Sequence, residues 1–173
     1  INPFKSLFMK TIILITVLFI FQLSAIDSSF AQISEGGKPP SFIYKISDSI
    51  DVREITQLSA AEIQKIVDET NKNGTFYKIG KSIPVQVSIG NSGTWVVLPD
   101  GSMIWRLKLV SKDALALGLY YDNFYIPPGG KLFLYNENKT QVIGAFTELN
   151  NPESGLFATE LIQGGAVYLE YYQ

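Results

Sequence analysis

Apolar and polar residues alternate through most of the second half of the chain. In the stretch Met103–Val110, Trp105 and Leu107 alternate with Arg106 and Lys108. An extended backbone would therefore carry apolar side chains on one face and charged side chains on the other. The pattern predicts a half-buried core strand, and similar short segments follow it to the end of the chain.

Turn-forming residues separate these segments. At Pro99–Gly101 and Pro127–Gly130 a proline presets φ and a glycine accepts the left-handed conformation. The other segments predicted as strands are 76–79, 85–89, 95–98, 115–121, 131–135, 142–146, 157–162 and 166–172. Short strands at this spacing, with no helical pattern between them, predict an all-β fold, either an antiparallel β-sandwich or a jelly roll.

One α-helix is predicted, from Ala60 to about Asn71. Ser59 is a good N-cap and Glu62 stands three residues later, which completes a capping box. Ile63 and Val67 belong to its apolar stripe. We expect this short helix to cover one face or edge of the sheet, and the alternative is an arm that binds a partner.

An extended lead-in precedes the strands. Residues 32–75 contain this lead-in and the helix, and residues 76–173 contain the predicted sandwich. The lead-in opens with two glycines and two prolines, which disfavour a helix. Because Phe42, Tyr44 and Ile46 alternate with other residues, we expect a short strand lying on the body of the domain.

The N-terminal segment 1–31 has the pattern of a secretory signal peptide. Met9 is followed by a lysine and by the apolar run 11–21, and small residues precede an expected cleavage after Ala31. A membrane anchor is disfavoured because a spanning helix needs about 20 apolar residues. We therefore expect Met9 to be the start, residues 1–8 to be translated upstream sequence, and the sequence to be a coding fragment. We expect export across the inner membrane and contact with the membrane only in transit.

Composition excludes several kinds of chemistry. The net charge of the 173 residues is -2 and the pI is near 5.2, so no basic surface favours nucleic-acid binding. The sequence has neither Cys nor His, which excludes disulfides, thiolate zinc sites and a Ser-His-Asp triad. We therefore assign no catalytic residue, cofactor or metal ligand, and expect this chain alone to lack enzymatic activity.

Two groups of side chains remain as candidate contacts. Aromatic residues that could contact a partner or stack on a sugar are Trp95, Tyr120, Tyr125, Tyr168 and Tyr172. Carbohydrate is therefore a candidate ligand, although aromatic residues also stabilise sheets without any ligand. Arg106 and Glu170 lie within two predicted strands, and we expect them to form a structural ion pair on one sheet face.

A set of short pieces resembles one family when their order and spacing are taken together. In chain order they are Gly36–Phe42, Gly93–Trp95, Asp100–Gly101, Trp105–Leu107, Pro127–Gly129, Leu132–Asn136, Gly144–Thr147, Asn150–Asn151, Phe157–Thr159 and Leu169–Tyr172. The region 36–172 resembles the N-terminal non-catalytic region of secreted bacterial trypsin-like serine peptidases of the lysyl-endopeptidase type.

The resemblance implies a function that depends on a neighbouring domain. In that family the region precedes a trypsin-like domain and is similar to a pro-region, which assists folding or restrains the peptidase. The catalytic Ser, His and Asp would follow Gln173, and that peptidase domain would be the partner in cis. The alternative is a free-standing carbohydrate- or surface-binding β-sandwich module.

Overall fold

The computed structural model describes residues 33–56, 58–73 and 80–173. The predicted signal peptide, 1–31, and the predicted strand 76–79 lie outside the described residues. Within the described residues, no helix is long and apolar enough to cross a membrane.

Short strands make up most of the regular structure. The strands are β1 (Asp51–Glu54), β2 (Thr94–Val97), β3 (Met103–Val110), β4 (Ala116–Leu117), β5 (Tyr120–Tyr121), β6 (Lys131–Asn136), β7 (Val142–Phe146), β8 (Phe157–Ala158), β9 (Ile162–Gln163) and β10 (Ala166–Tyr172). The helices are α1 (Pro40–Ile43), α2 (Ala60–Asn73) and a 3-10 turn at Glu148–Asn150. The described chain is therefore β-rich, with small helical additions.

The main sheet is mixed. It has six strands in the order β1-β3-β10-β6-β7, with β2 paired to the same strand β3. Strand β1 runs parallel to β3, whereas the other pairs are antiparallel. The prediction of a purely antiparallel fold is therefore wrong. The reason is that β1 comes from the lead-in, and the long connection to β3 through α2 leaves enough chain for a parallel crossover.

The hydrophobic core lies on one face of this sheet, here called the core face. Trp105, Leu107 and Leu134 point toward it and are almost completely buried. The two-stranded pairs β4–β9 and β5–β8, here called the second layer, contribute Ile162 and Phe157 to the same core. The rings of Phe124 and Phe157 stack with centroids 4.1 Å apart. The apolar positions of the period-two pattern face the core as predicted, but the prediction of a half-buried strand is wrong, because Arg106 on the opposite face of β3 is also 0% exposed.

The proline-rich lead-in departs from the sequence prediction. Instead of the short strand expected over 42–46, the structure has α1, with Pro40 at its first position. The Tyr44 N–H donates to the Pro40 carbonyl over 2.9 Å and closes the turn. A proline at the first position loses no helical hydrogen bond and already has a helical φ. Proline here starts a helical turn rather than preventing one.

Helix α2 begins at the predicted residue and extends slightly further than predicted. The Ser59 N–H donates to the Glu62 carboxylate over 2.9 Å, and the Glu62 N–H donates to the Ser59 hydroxyl over 3.3 Å. These bonds confirm the capping box. However, Ile63 and Val67 of the apolar stripe are 51% and 43% exposed. This part of the stripe is therefore not buried against the sheet as expected.

Three other predicted strands are less regular than expected, and one of them, 157–162, is split into β8 and β9. The segment 85–89 has no strand, and both Val85 and Ile89 are partly exposed. The alternating segment 115–121 splits into β4 and β5, which pair with different partners on either side of Gly118. Alternation in the sequence indicates which side chains point inward. A long strand also needs a neighbouring strand of the same length to accept and donate its backbone hydrogen bonds.

Candidate functional site

The N-terminal strap, defined as residues 33–50, is tied to the sheet at its first described residues. The Glu35 N–H donates to the Ala145 carbonyl over 3.0 Å, and the Ala145 N–H donates to the Gly36 carbonyl over 3.2 Å. Lys131 forms an ion pair with Glu35 at 3.1 Å. The strap therefore pairs with the otherwise open edge of β7, which is how many proteins protect an edge strand.

Arg106 and Glu170, the two residues proposed as a structural pair, lie together on the face opposite the core face. They are direct partners in the β3–β10 register. The Arg106 Nε lies 3.4 Å from Glu170 Oε2, and neither side chain is exposed to solvent. Two opposite charges thus face each other in a site from which water is excluded. We call this face of the sheet the strap face.

The Glu170 carboxylate is held by hydrogen bonds from the strap and from a neighbouring strand. The Ser41 N–H donates to Oε1 over 2.8 Å, and the Ser41 hydroxyl donates to Oε2. The Tyr135 hydroxyl, carried by β6, donates to Oε2 over 3.0 Å. Buried carboxylates are tolerated when their oxygens are bonded in this way.

The Arg106 guanidinium makes the second set of bonds to the strap. Its Nη1 donates to the Ser47 carbonyl over 2.7 Å, and its Nη2 donates to the Asp48 carboxylate over 2.5 Å. Nη2 also lies 3.2 Å from the Tyr135 hydroxyl. Asp48 in turn accepts from Lys139 over 2.7 Å. The network therefore balances two cations with two carboxylates.

The environment favours the charged forms of Arg106 and Asp48. Burial acts to lower the pKa of Arg106, but its interactions with Tyr135, Asp48 and Glu170 outweigh burial and raise that pKa. Partial burial opposes ionisation of Asp48, yet hydrogen bonds from Lys139 and Arg106 lower its pKa. Burial, reinforced by the charge of Glu170, raises the pKa of Tyr135. The tyrosine therefore stays neutral and can donate a hydrogen bond to Glu170.

Aromatic rings enclose the network. Phe42 of α1 meets Tyr135 edge-on at 4.7 Å, and Tyr135 stacks on Tyr168 at 5.1 Å. The Lys139 ammonium lies 5.2 Å from the centre of the Phe42 ring. Although the Ser41 hydroxyl contacts a carboxylate, it is only 3% exposed. A substrate cannot reach it in this conformation, and the arrangement serves to hold the strap on the sheet.

An open groove lies on another part of the strap face. It has a volume of about 620 Å³ and is lined by residues that include Glu54, Lys108, Val110, Lys112 and Glu137. Lys108 pairs with Glu137 at 2.5 Å, and this bond raises the pKa of the lysine. Among the described residues, no group of three acidic, histidine or cysteine side chains could hold a metal ion. The groove is a mixed-charge surface without a preorganised ligand set.

The five candidate aromatic residues are not gathered on one surface. Trp95 pairs with a core-face position of β3, whereas Tyr168 and Tyr172 pair with strap-face positions. Tyr168 is only 6% exposed. Tyr120 and Tyr125 are 80% and 72% exposed and belong to the second layer and the loop after it. The structure therefore provides no common stacking platform for a sugar chain.

Sequence reasoning missed three residues of the network, two from the strap and one from the loop between β6 and β7. Ser41, Asp48 and Lys139 come from segments interpreted as lead-in or hairpin loop, and no periodicity connects them with Arg106. The available indication was that Ser41 and Tyr135 both belong to pieces of the family resemblance. Residues that come together only in the folded protein produce no recognisable pattern in the local sequence.

Comparisons with known proteins add no further constraint. No family model matches the chain, and no solved structure matches it. Function is therefore inferred from the order of the sequence pieces between Gly36 and Tyr172 and from the contacts that those pieces make in the structure.

Proposed function

We propose that this chain is a secreted accessory or pro-domain of a trypsin-like serine peptidase, and that it assists folding of the peptidase or restrains it. One observation supports this proposal most directly. Ser41, Arg106, Tyr135 and Glu170 come from four different pieces of the family resemblance, and all four meet in the buried network. The pieces that suggest the family are therefore also the pieces that hold this domain together.

The residues of these pieces are far apart in the sequence but contact one another in the folded domain. Ser41 and Glu170 are 129 residues apart, and Arg106 and Tyr135 are 29 apart. Residues from four of the pieces thus contact one another in the folded domain although they are distant in the sequence. We therefore interpret the pieces as the requirements of one domain type, which we further propose to be a sandwich formed by the main sheet and the second layer.

Export fits the same proposal. Cleavage of the predicted signal peptide after Ala31 would leave the strap close to the new N-terminus. Ile33 and Glu35 are already bonded to the body, through the Asn150 side chain and the Ala145 carbonyl. Without any cysteine, the exported domain would depend on this packing and on its ion pairs for stability.

The mechanism is binding rather than chemistry. A folded domain that binds only the native peptidase stabilises it by mass action, by about 2.7 kcal/mol when its concentration is 100 times Kd. A rigid domain is suited to this role because little conformational entropy is lost when it binds. The buried network supplies such rigidity by fixing the strap to the last strand.

The test begins with the reading frame beyond codon 173. The proposal expects a peptidase domain there, with its own His, Asp and Ser. That domain would be refolded with and without residues 32–173 added in trans, and hydrolysis of a lysyl ester would be measured. We expect a higher yield of active enzyme or a lower rate of hydrolysis. A stop codon directly after Gln173, or no effect on either quantity, would reject the proposal.

A pair of variants separates a folded-domain effect from a charge effect. Glu170→Ala removes the centre of the buried network, whereas Glu137→Ala removes a surface carboxylate whose side chain is 67% exposed. Both substitutions delete one negative charge. Only Glu170→Ala should abolish the effect on the peptidase, and equal behaviour of the two variants would count against a folded binding domain.

A further inference from the structure

The outer side of the second layer exposes three large apolar side chains. In the β5–β8 pair, Tyr121 and Phe157 face the core, so their strand neighbours face outward. Tyr120, Leu156 and Leu161 are 80%, 64% and 53% exposed. We call these three residues the outer patch.

Backbone contacts place the members of the outer patch on one surface. Leu161 lies over Gly118, since a Cβ built on that glycine would be 3.1 Å from the leucine Cδ2. Gly118 is two residues before Tyr120, and Tyr120 pairs with Ala158, two residues after Leu156. The patch therefore follows a single run of paired backbone and is not a set of scattered side chains.

The chain segments that carry the outer patch contain exposed charges of one sign. Between Lys112 and Lys131, and again after Lys139, the chain contains no lysine or arginine. The charged residues of these segments, apart from the buried Glu170, are Asp113, Asp122, Glu148, Glu153 and Glu160.

Three of these acidic residues border the outer patch. Asp122 lies beside Gly155, the residue before Leu156, and Glu160 directly precedes Leu161. Glu153 is in the turn before Leu156, and all three are exposed. Within the part of the chain that the structure describes, none of the three forms an ion pair. Their charges are therefore available to a partner.

We propose that the outer patch, with its acidic border, is the surface through which this domain docks on a protein with an apolar centre and a basic rim. The inference rests on the proposed function, under which the occupant is the peptidase domain encoded after Gln173. Large exposed apolar side chains mark interaction surfaces, and their aromatic members contribute strongly to binding. The acidic border selects a positively charged partner and speeds its association.

Two other occupants fit the surface less well. A second copy of this chain would place its own acidic border against the first, and juxtaposed like charges oppose association. A sugar needs polar groups that fix its hydroxyls beside the stacking ring. Here the patch residues beside Tyr120 are the apolar Leu156 and Leu161, and the carboxylates lie only at the border of the patch.

The test measures binding of the separately expressed peptidase domain to the mature chain and its variants by calorimetry. Tyr120→Ala and Leu156→Ser should each weaken binding by roughly tenfold or more. The matched control is Ile43→Ser, which changes a side chain of similar exposure, 61%, on α1. This control should change Kd by less than about twofold, because surface substitutions away from a contact usually have small effects.

Charge reversal tests the acidic border. Glu160→Lys should weaken binding and reduce its sensitivity to salt, since steering charges act over roughly 10 Å at 0.1 M salt. The control is Glu54→Lys, an exposed carboxylate of β1 on the main sheet. Equal effects of the two reversals would mean that only net charge matters, and would overturn the assignment of the border.

The outcomes separate this inference from the proposed function. Binding that is unchanged by Tyr120→Ala and Leu156→Ser overturns the docking surface and leaves the proposed function intact. Binding through the outer patch with no effect on folding or hydrolysis overturns the function and keeps the surface. Absence of any binding rejects both. Two further measurements test the other occupants: self-association by ultracentrifugation and oligosaccharide binding on an array. If either is observed and is lost in Tyr120→Ala, the surface belongs to that occupant and the inference is overturned.

Discussion

Ser41 donates two hydrogen bonds to the carboxylate of Glu170, one from its backbone N–H at 2.8 Å and one from its hydroxyl. The first residue belongs to the strap and the second to β10, the last strand of the sheet. The contact therefore joins the beginning and the end of the described chain. The strap is consequently part of the domain's structure and not an independent leader.

This contact predicts a measurable loss of stability in Ser41→Ala. The substitution removes the hydroxyl donor but keeps the backbone bond, and hydrogen bonds to charged groups contribute about 1.5–3 kcal/mol. We expect the free energy of unfolding, measured by urea denaturation, to fall by that amount. The exposed Ser49→Ala on the same strap is the control and should change stability by less than about 0.5 kcal/mol. Equal losses in the two variants would contradict the role of the Ser41 hydroxyl.

The Arg106–Glu170 pair predicts strong coupling in a double-mutant cycle. Removing either partner leaves a buried charge without its counter-ion, and such losses are about 3–5 kcal/mol. Removing both leaves no unpaired charge between them, so the double variant should be more stable than the sum of the single losses predicts. We expect a coupling energy of roughly 0.5–3 kcal/mol between Arg106→Ala and Glu170→Ala.

An exposed pair provides the reference for this cycle. Lys131 and Glu35 are 3.1 Å apart, and their side chains are 42% and 41% exposed. Exposed pairs of this kind contribute about 0–1 kcal/mol. The coupling of Arg106 with Glu170 should clearly exceed that of Lys131 with Glu35, and zero coupling in the buried pair would reject its structural role.

Asp48 predicts a dependence of stability on pH. Its pKa in the folded protein lies below the usual range for an aspartate, because hydrogen bonds from Lys139 and Arg106 outweigh the opposing effect of burial. A carboxyl with a lowered folded pKa stabilises the fold above its unfolded pKa. That contribution is lost as pH falls through the unfolded value toward the folded one.

The measurement compares wild type and Asp48→Asn in urea unfolding from pH 7 to pH 2. At pH 7 the variant should be less stable by roughly 1 kcal/mol, a modest value because the side chain of Asp48 is 40% exposed and partly screened by water. The difference should shrink as pH falls below about 4, where carboxyls of ordinary pKa become protonated. A difference that stays constant over the whole range would contradict the lowered pKa.

The sequence predicts the parts of this molecule that depend on local rules. The alternation around Trp105 places β3 correctly, and the capping box of Ser59 and Glu62 places the start of α2. Both features depend on residues within a few positions of each other. The alternation also places Arg106 and Glu170 away from the core, although only the register between β3 and β10 makes them neighbours.

The remaining features depend on contacts between distant segments. No local rule indicates that Asp48 would bond Arg106, or that β1 would run parallel to β3. Composition was misleading at Pro40, because a proline excluded from a helix interior is favoured at its first position. The sequence also could not predict that Tyr120 is exposed and Tyr168 is buried. Both outcomes depend on which segments pack over each face of the sheet.

Gly93 predicts the sharpest effect of a single added methyl group. This glycine has φ +83° and lies against the indole of Trp105, so a Cβ at this position would be 2.1 Å from the indole Nε1. The same nitrogen donates to the Ser92 carbonyl over 2.6 Å. Gly93→Ala should therefore displace a core ring and break its hydrogen bond. We expect a loss of unfolding free energy of about 3 kcal/mol or more, from overpacking together with the unfavourable φ.

Gly101→Ala separates these two contributions. Gly101 has a nearly identical φ of +87°, but no atom lies within 4 Å of the position that its Cβ would occupy. It should therefore show only the conformational cost of a left-handed alanine, about 1–2 kcal/mol. Trp105 fluorescence, measured in a Trp95→Phe background, should change in Gly93→Ala and remain the same in Gly101→Ala. Similar losses and spectra for the two variants would mean that φ alone requires glycine at Gly93, and that the contact with Trp105 is not what restricts this position.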